Sequence, residues 1–244
     1  MRTKLYILLL AAFGVFSGYA QTPINKTIPA SAGQKLVVHF DYPELIKVTS
    51  WDKNEIAVGG TVSINNGEND DAFELKESTS NGTIYLDGSI KNLKSLPQRI
   101  TINRDGQKIM FKTKADYKEY VAKNGGNYNH MSWGVDMEII IEIKVPRNME
   151  TRVESVYGMV EVKNFTGPLT VDATYGGVDA ALQEVAMGEL IAETNYGQIY
   201  TNLNVKFNST EDRDFHTYVS AKPGKGPRYS FESKYGNVYL RKPQ

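Results

Sequence analysis

Apolar and polar residues alternate with period two along most of this chain, and glycines break the alternation at recurring points. The clearest case is a phrase that occurs four times after Arg152. The copies read Val153-Glu-Ser-Val-Tyr157-Gly158-Met-Val160, Val171-Asp-Ala-Thr-Tyr175-Gly176-Gly-Val178, Ala192-Glu-Thr-Asn-Tyr196-Gly197-Gln-Ile199 and Phe231-Glu-Ser-Lys-Tyr235-Gly236-Asn-Val238. Counted from each tyrosine, apolar or small residues fall at −4, −2, +3 and +5, with polar residues mostly between them. Each half-phrase therefore has the period of a β-strand. The glycine at +1 suits a corner between two strands, because it tolerates φ > 0 without a Cβ penalty.

Successive tyrosines are 18, 21 and 39 residues apart, and the last step is close to two of the shorter ones. A period near twenty marks an array in which each repeat buries its apolar face by stacking on its neighbours. The pattern predicts an all-β chain, a parallel β-solenoid with coils of ~20 residues at ~3.3 Å per residue. Stacked coils align equivalent side chains, so the four tyrosines form a ring ladder. The parity of the small −2 position points Tyr157, Tyr175 and Tyr196 inward. The excess residues before the fourth copy, around Asp212–His216 and Lys222–Pro227, read as one more coil with a protruding turn.

Upstream, short alternating runs at 35–40, 45–48, 55–58 and 61–64 read as strands, with turn signals at Asn65-Asn66-Gly67 and Asn81-Gly82. Trp51-Asp-Lys-Asn reads as a turn with the indole folded back over a sheet. Residues 136–145 alternate as a long strand that Pro146 ends. Between them, residues 101–135 depart from the pattern as one small insertion: a helix over 112–123 stopped by Asn124-Gly125-Gly126, then an aromatic and amide-rich loop.

The phrases Glu-Ser-Val-Tyr157-Gly158-Met-Val160, Glu-Thr-Asn-Tyr196-Gly197-Gln-Ile199 and Glu-Ser-Lys-Tyr235-Gly236-Asn-Val238 resemble the Thr/Ser-x-x-Gly-x-Val/Ile repeats of the bacterial "putative adhesin" family. Ile46 to Val58 and Ile141 to Pro146 resemble that family's opening and pre-repeat strands. The likeness spans about residues 30–243. It implies a β-solenoid-like domain associated with the cell envelope, and it supplies no catalytic residues.

Composition narrows the setting. Met1–Ala20 has Arg2 and Lys4, an apolar run and Gly18-Tyr-Ala20, the form of a cleavable signal peptide. The apolar run is too short for a membrane span, and no later stretch is apolar enough. The remainder, 21–244, reads as a single exported domain, periplasmic or on the cell surface. With no cysteine, disulfides, thiol nucleophiles and cysteine metal sites are excluded. The formal charge is zero, and loss of Arg2 and Lys4 with the leader makes the mature chain slightly acidic. No basic excess is available for a phosphate backbone, so nucleic acid is not expected as a partner.

The candidate chemistry is sparse. His39, His130 and His216 are scattered, no serine sits in a nucleophile elbow, and Lys222–Arg228 lacks phosphate-loop order. Position −3 is acidic in every copy: Glu154, Asp172, Glu193 and Glu232. Stacked at strand spacing, these carboxylates form a solvated edge or, alternatively, a row of calcium ligands. Tyr128, His130 and Trp133 of the insertion are the expected ligand contacts, since aromatic-plus-amide loops suit sugars. The expectation is a non-catalytic, adhesin-like envelope module for a glycan or an envelope protein, with no cofactor. The alternatives are a periplasmic accessory protein without a soluble ligand and a polysaccharide-acting β-helix enzyme built on the acidic row.

Overall fold

The alternating runs all become strands in the computed structural model, which describes residues 21–243. The signal peptide expected over 1–20 lies outside the described residues. With strands numbered in chain order, one eight-stranded sheet has the spatial order β1 (Thr22–Pro29), β4 (Glu55–Ile64), β10 (Met137–Pro146), β3 (Leu45–Trp51), β12 (Met159–Val162), β14 (Val178–Ala181), β20 (Val238–Arg241) and β16 (Ile199–Thr201). A nine-stranded sheet runs β17 (Phe207–Arg213), β18 (His216–Ala221), β15 (Glu189–Thr194), β19 (Arg228–Ser233), β13 (Leu169–Ala173), β11 (Thr151–Ser155), β2 (Lys35–Phe40), β6 (Thr83–Ile90) and β5 (Phe73–Ser80). A third sheet orders β8 (Gln107–Phe111), β7 (Arg99–Arg104) and β9 (His130–Gly134).

Each Tyr-Gly phrase crosses from the nine-stranded to the eight-stranded sheet, one strand in each. The four copies pair in parallel and in register, Val153 beside Val171, Val171 beside Phe231 and Phe231 beside Ala192. These −4 side chains are fully buried, as are Val160, Val178 and Val238 at +3, so the two inner faces make one continuous core. Burying each valine or phenylalanine among them is worth about 1.5–3 kcal/mol, and Ala192 correspondingly less.

A uniform parallel solenoid is not what forms. Both sheets are open and mixed: β1–β4–β10, β5–β6 and β15–β18–β17 pair antiparallel around the parallel centre. The 39-residue step is not two coils in sequence. After β15 and β16 the chain folds an antiparallel hairpin, β17–β18, onto β15. It then returns to lay β19 and β20 between the second and third copies. The turn residues Asp214 and Phe215 separate Arg213 from His216, and this pairing takes the place of the extra coil expected there.

Two further differences come from close backbone approach. The runs read separately at 55–58 and 61–64 form one strand, β4, which passes straight through Gly59-Gly60 against β10; Gly60 has φ +136°, and a Cβ there would overlap the Ile140 carbonyl. Among the corner glycines only Gly158 lies in the left-handed region, at φ +86°. Gly176, Gly197 and Gly236 are required for another reason. A Cβ on each would overlap the carbonyl oxygen of the neighbouring copy's glycine, so the corners stack glycine on glycine.

Buried hydroxyls at −2 complete the corner. Ser233 Oγ accepts from Gly236 N at 2.8 Å and donates to Gly176 O at 2.7 Å. Thr194 repeats the arrangement with Gly197 N at 3.1 Å and Gly236 O at 2.9 Å, whereas Ser155 donates to Tyr157 O at 2.6 Å. Backbone bonds from Tyr175 N to Val156 O and from Tyr235 N to Thr174 O continue the pairing around the turn.

The tyrosines point outward, contrary to their sequence parity, because each is the middle residue of a three-residue bend between the strands, where the strand alternation no longer applies. Tyr157, Tyr175, Tyr235 and Tyr196 are 43%, 54%, 43% and 58% exposed. Their rings stack at 5.0 Å with interplanar angles of 13°, 6° and 7°. Tyr42 continues the stack at 5.3 Å beyond Tyr157, and Phe215 follows Tyr196 at 5.6 Å.

Asn81 and Gly82, both at positive φ, make the β5–β6 hairpin turn. Asn65 and Asn66 are also left-handed, but they start a turn rather than a hairpin. The Asn65 side chain is buried there, bonding Asn69, Pro97 O and Asp136 N, and so ties down both ends of the insertion. Trp51 sits at a turn as expected, its indole donating to Glu55 O at 2.7 Å.

Candidate functional site

The insertion is more regular than its composition indicated. Thr113 caps a helix, α1 (Lys114–Asn124), through a capping box with Asp116. His130–Gly134 is not a loop but strand β9, paired antiparallel with β7. Period-two alternation in Ile100-Thr-Ile102 meets Trp133 and Met131 directly across the ladder, which places both on the face of the small core of Ile100, Ile102 and Phe111.

Tyr128 packs on that core, its hydroxyl 2.9 Å from Tyr117's. Trp133 is half exposed, yet Lys114 Nζ lies 3.9 Å from its ring centre and its indole N–H donates to Gln98. His130 alternates to the opposite face. The structure therefore brings Tyr128 and Trp133 to one side, occupies both with partners from their own subdomain, and separates His130 from them.

The repeats assemble a different surface on the outer face of the nine-stranded sheet. Register places Asp87, His39, Glu154, Asp172, Glu232 and Glu193 in one row across β6, β2, β11, β13, β19 and β15. Neighbouring carboxylates at strand spacing repel, and the Arg152 guanidinium relieves the centre of the row while two histidines lie against it. Arg152 Nε donates to Glu154 Oε1 at 2.6 Å, and its Nη2 lies 2.5 Å from Asp172 Oδ2. That second contact is an ion pair without hydrogen-bond alignment, which leaves Asp172 Oδ2 buried without a donor. His39 Nδ1 lies 3.4 Å from Glu154, and His216 Nε2 lies 2.9 Å from Glu193. Burial pushes the Asp172 carboxyl above its ordinary value; Arg152 opposes the shift, while Glu232 and Glu154 add to it. The Glu154 hydrogen bond holds the Arg152 guanidinium firmly protonated. Among the described residues no three His, Asp or Glu side chains converge on a point that could hold a metal ion.

Two residues along from the acidic row runs a second one: Tyr85, Val37, Arg152, Thr170, Ser230, Ile191 and Ser220. Thr170 and Ser230 are small residues side by side in this row, and a groove of about 620 Å³ opens over them. Tyr85, 41% exposed, stands on one side and Arg228 lies further along. The lining balances Lys35, Arg152 and Arg228 against Glu150, Asp172 and Glu232. Most of these charges are already engaged: Lys35 with Glu150 at 2.8 Å, Arg228 with Glu189 at 3.4 Å, Arg152 with the acidic row. The groove thus offers hydroxyls, paired planar polar groups and one ring, with no net charge to attract an ion. Sequence reasoning missed it, although the −5 position of the same repeat (Arg152, Thr170, Ile191, Ser230) carried the signal. Small residues in the second and fourth copies make a groove only once those copies are neighbours.

Among the described residues no helix is long and apolar enough to cross a membrane. No protein-family model matches the chain, and no curated protein does. Two solved structures align with it. A "putative cell adhesion protein" from Clostridium sporogenes is 11% identical over 92% of this chain and 100% of that one, with a TM-score of 0.49. A "putative adhesin" from Bacteroides fragilis is 12% identical over 92% of this chain and 99% of that one, with a TM-score of 0.23. At these values the likeness identifies neither an activity nor a ligand.

Proposed function

We propose that the chain is an exported, non-catalytic envelope module that binds a neutral glycan in the groove on the outer face of the nine-stranded sheet. The observation that carries this reading is the trough over Thr170 and Ser230, flanked by Arg152, Asp172 and the exposed Tyr85. Sugar recognition combines aromatic contact with planar polar side chains that fix hydroxyl orientation. A lining of equal and mostly paired charges favours an uncharged, hydroxyl-rich ligand over a phosphate or a polyanion. The parallel β-stack supports it by holding these residues on rigid strands rather than loops.

The test is a neutral-oligosaccharide array followed by calorimetry on the mature protein. Ser230→Trp fills the trough and is expected to weaken binding at least tenfold, whereas Trp133→Ala leaves it unchanged. Absence of binding, or loss with Trp133→Ala alone, overturns the assignment of the groove. Appearance of cleaved sugar during the incubation overturns the non-catalytic part. Protease treatment of intact cells tests the setting: digestion agrees with a surface module, and protection with release in the periplasmic fraction favours the accessory-protein reading.

A further inference from the structure

We propose that the outward ring ladder is a self-association surface, on which a second copy of this chain docks ladder against ladder in antiparallel fashion. This goes beyond the glycan reading and does not depend on it, since the ladder lies at the corner between the sheets and not on the outer face that carries the groove.

The ring geometry limits what can bind there. Tyr157, Tyr175, Tyr235 and Tyr196 are stacked face to face at 5.0 Å, so the ladder presents ring edges and a file of phenol hydroxyls instead of open faces. A sugar that needs a ring face finds none along the ladder's length. The period limits it further. An extended peptide presents same-side groups every ~6.6–6.8 Å, twice the rise per residue, and drifts out of step within two contacts. Another stack of β-strands repeats at ~4.7–4.9 Å, and an identical ladder matches it throughout.

Charge and area point the same way. The residues beside the rings are Val156, Thr174, Asn195 and Lys234 on one side and Met159, Gly177, Gln198 and Asn237 on the other. At these flanking positions the four copies hold no carboxylate and one cation, Lys234, with Glu44 beside Tyr157 and Asp214 next to Phe215 at the two ends; on either side lie outer faces laced with ion pairs such as Arg152–Glu154 and Arg241–Asp179. Phe215 extends it at one end, 73% exposed with φ +66°, a left-handed conformation that a bulky residue rarely holds. At ~200 Å² per aromatic side chain, the five exposed rings leave roughly 500 Å² uncovered, the upper range for a patch on a monomer. Two copies together bury roughly 1,000 Å², the threshold for a specific though weak interface. Packing the strip on itself about a two-fold axis needs no second complementary surface, because a two-fold interface uses the same patch twice.

The experiment is sedimentation equilibrium of the mature protein up to about 100 µM, a range that reveals micromolar association. The expected result is a monomer–dimer equilibrium, weakened at least tenfold in the Thr174→Glu/Met159→Glu double variant. Those substitutions place carboxylates beside the rings without touching the stack, and an unchanged melting temperature confirms that the fold is intact. Tyr175→Phe keeps the ring and is expected to retain dimerisation. A wild-type protein that stays monomeric overturns the proposal. So does association that the double variant leaves untouched, or a ladder that takes up an oligosaccharide or an extended peptide instead.

Discussion

Residues 151–241 and residues 99–134 are stabilised in opposite ways. In the repeat stack, each position is constrained by its equivalents in the copies above and below: glycine on glycine at the corner, hydroxyl to glycine carbonyl, ring on ring. In the insertion, each position answers to one local partner, such as Lys114 for Trp133 or Tyr117 for Tyr128. The first arrangement forces the sequence to repeat, so a change at one level is felt at two others. The second leaves no repeat and confines the effect of a change to the small core around Phe111.

Glycine substitutions test that contrast most severely. Gly176→Ala places a methyl in the Gly158 carbonyl and is expected to cost at least about 3 kcal/mol. Gly106→Ala, at φ +78° in the β7–β8 turn with nothing near its Cβ, should cost only about 1 kcal/mol of local strain. Denaturation midpoints decide between them, and equal costs would remove the glycine column from the account.

Deleting the bridging hydroxyl comes next. Ser233→Ala leaves Gly236 N and Gly176 O unpaired inside the corner and should cost about 1–3 kcal/mol. Tyr175→Ala removes two stacking contacts, about 0.5–1.5 kcal/mol each beyond burial. Trp133→Ala, by comparison, loses one lysine contact and one exposed hydrogen bond to Gln98, together about 1 kcal/mol. A Trp133 variant less stable than the Tyr175 variant would reverse the comparison.

The acidic row gives the smallest effects. The folded-state pKa of Asp172 is raised, so the native state holds this proton more tightly than the unfolded chain does. Its ionised form therefore costs stability above the folded pKa, and the cost disappears as pH falls through that value towards the ordinary 3.8. Wild-type protein should gain more stability than Asp172→Asn across that window, and thermal melts at stepped pH measure the difference. Chelator should leave the melting temperature unchanged; a fall that Glu193→Gln abolishes would restore the calcium alternative.

The same contrast explains what the sequence made legible. Strand existence, the buried −4 and +3 columns, the Asn81-Gly82 hairpin and the helix after Lys112 were all readable, because each rests on local periodicity or turn chemistry. Ring direction was not: Val156, Tyr157 and Gly158 form a bend, and parity does not carry across a bend. The φ > 0 argument held at Gly158 alone, since the other corner glycines answer to a neighbouring copy. The groove and the strand identity of His130–Gly134 depended on pairing partners distant in sequence. Most of all, a 39-residue spacing does not say in which order copies stack.

That order is the central claim, and the absence of cysteine from the chain makes it directly testable. Thr170 and Ser230 are register partners on adjacent strands, whereas Thr170 and Ile191 have β19 between them. Adjacent strands lie ~4.8 Å apart, within the Cα separation a disulfide spans, and twice that distance is outside it. Thr170→Cys/Ser230→Cys is expected to crosslink within the native protein while Thr170→Cys/Ile191→Cys stays reduced. Crosslinking of the second pair and not the first would show the copies stacked in sequence order and would contradict the claim.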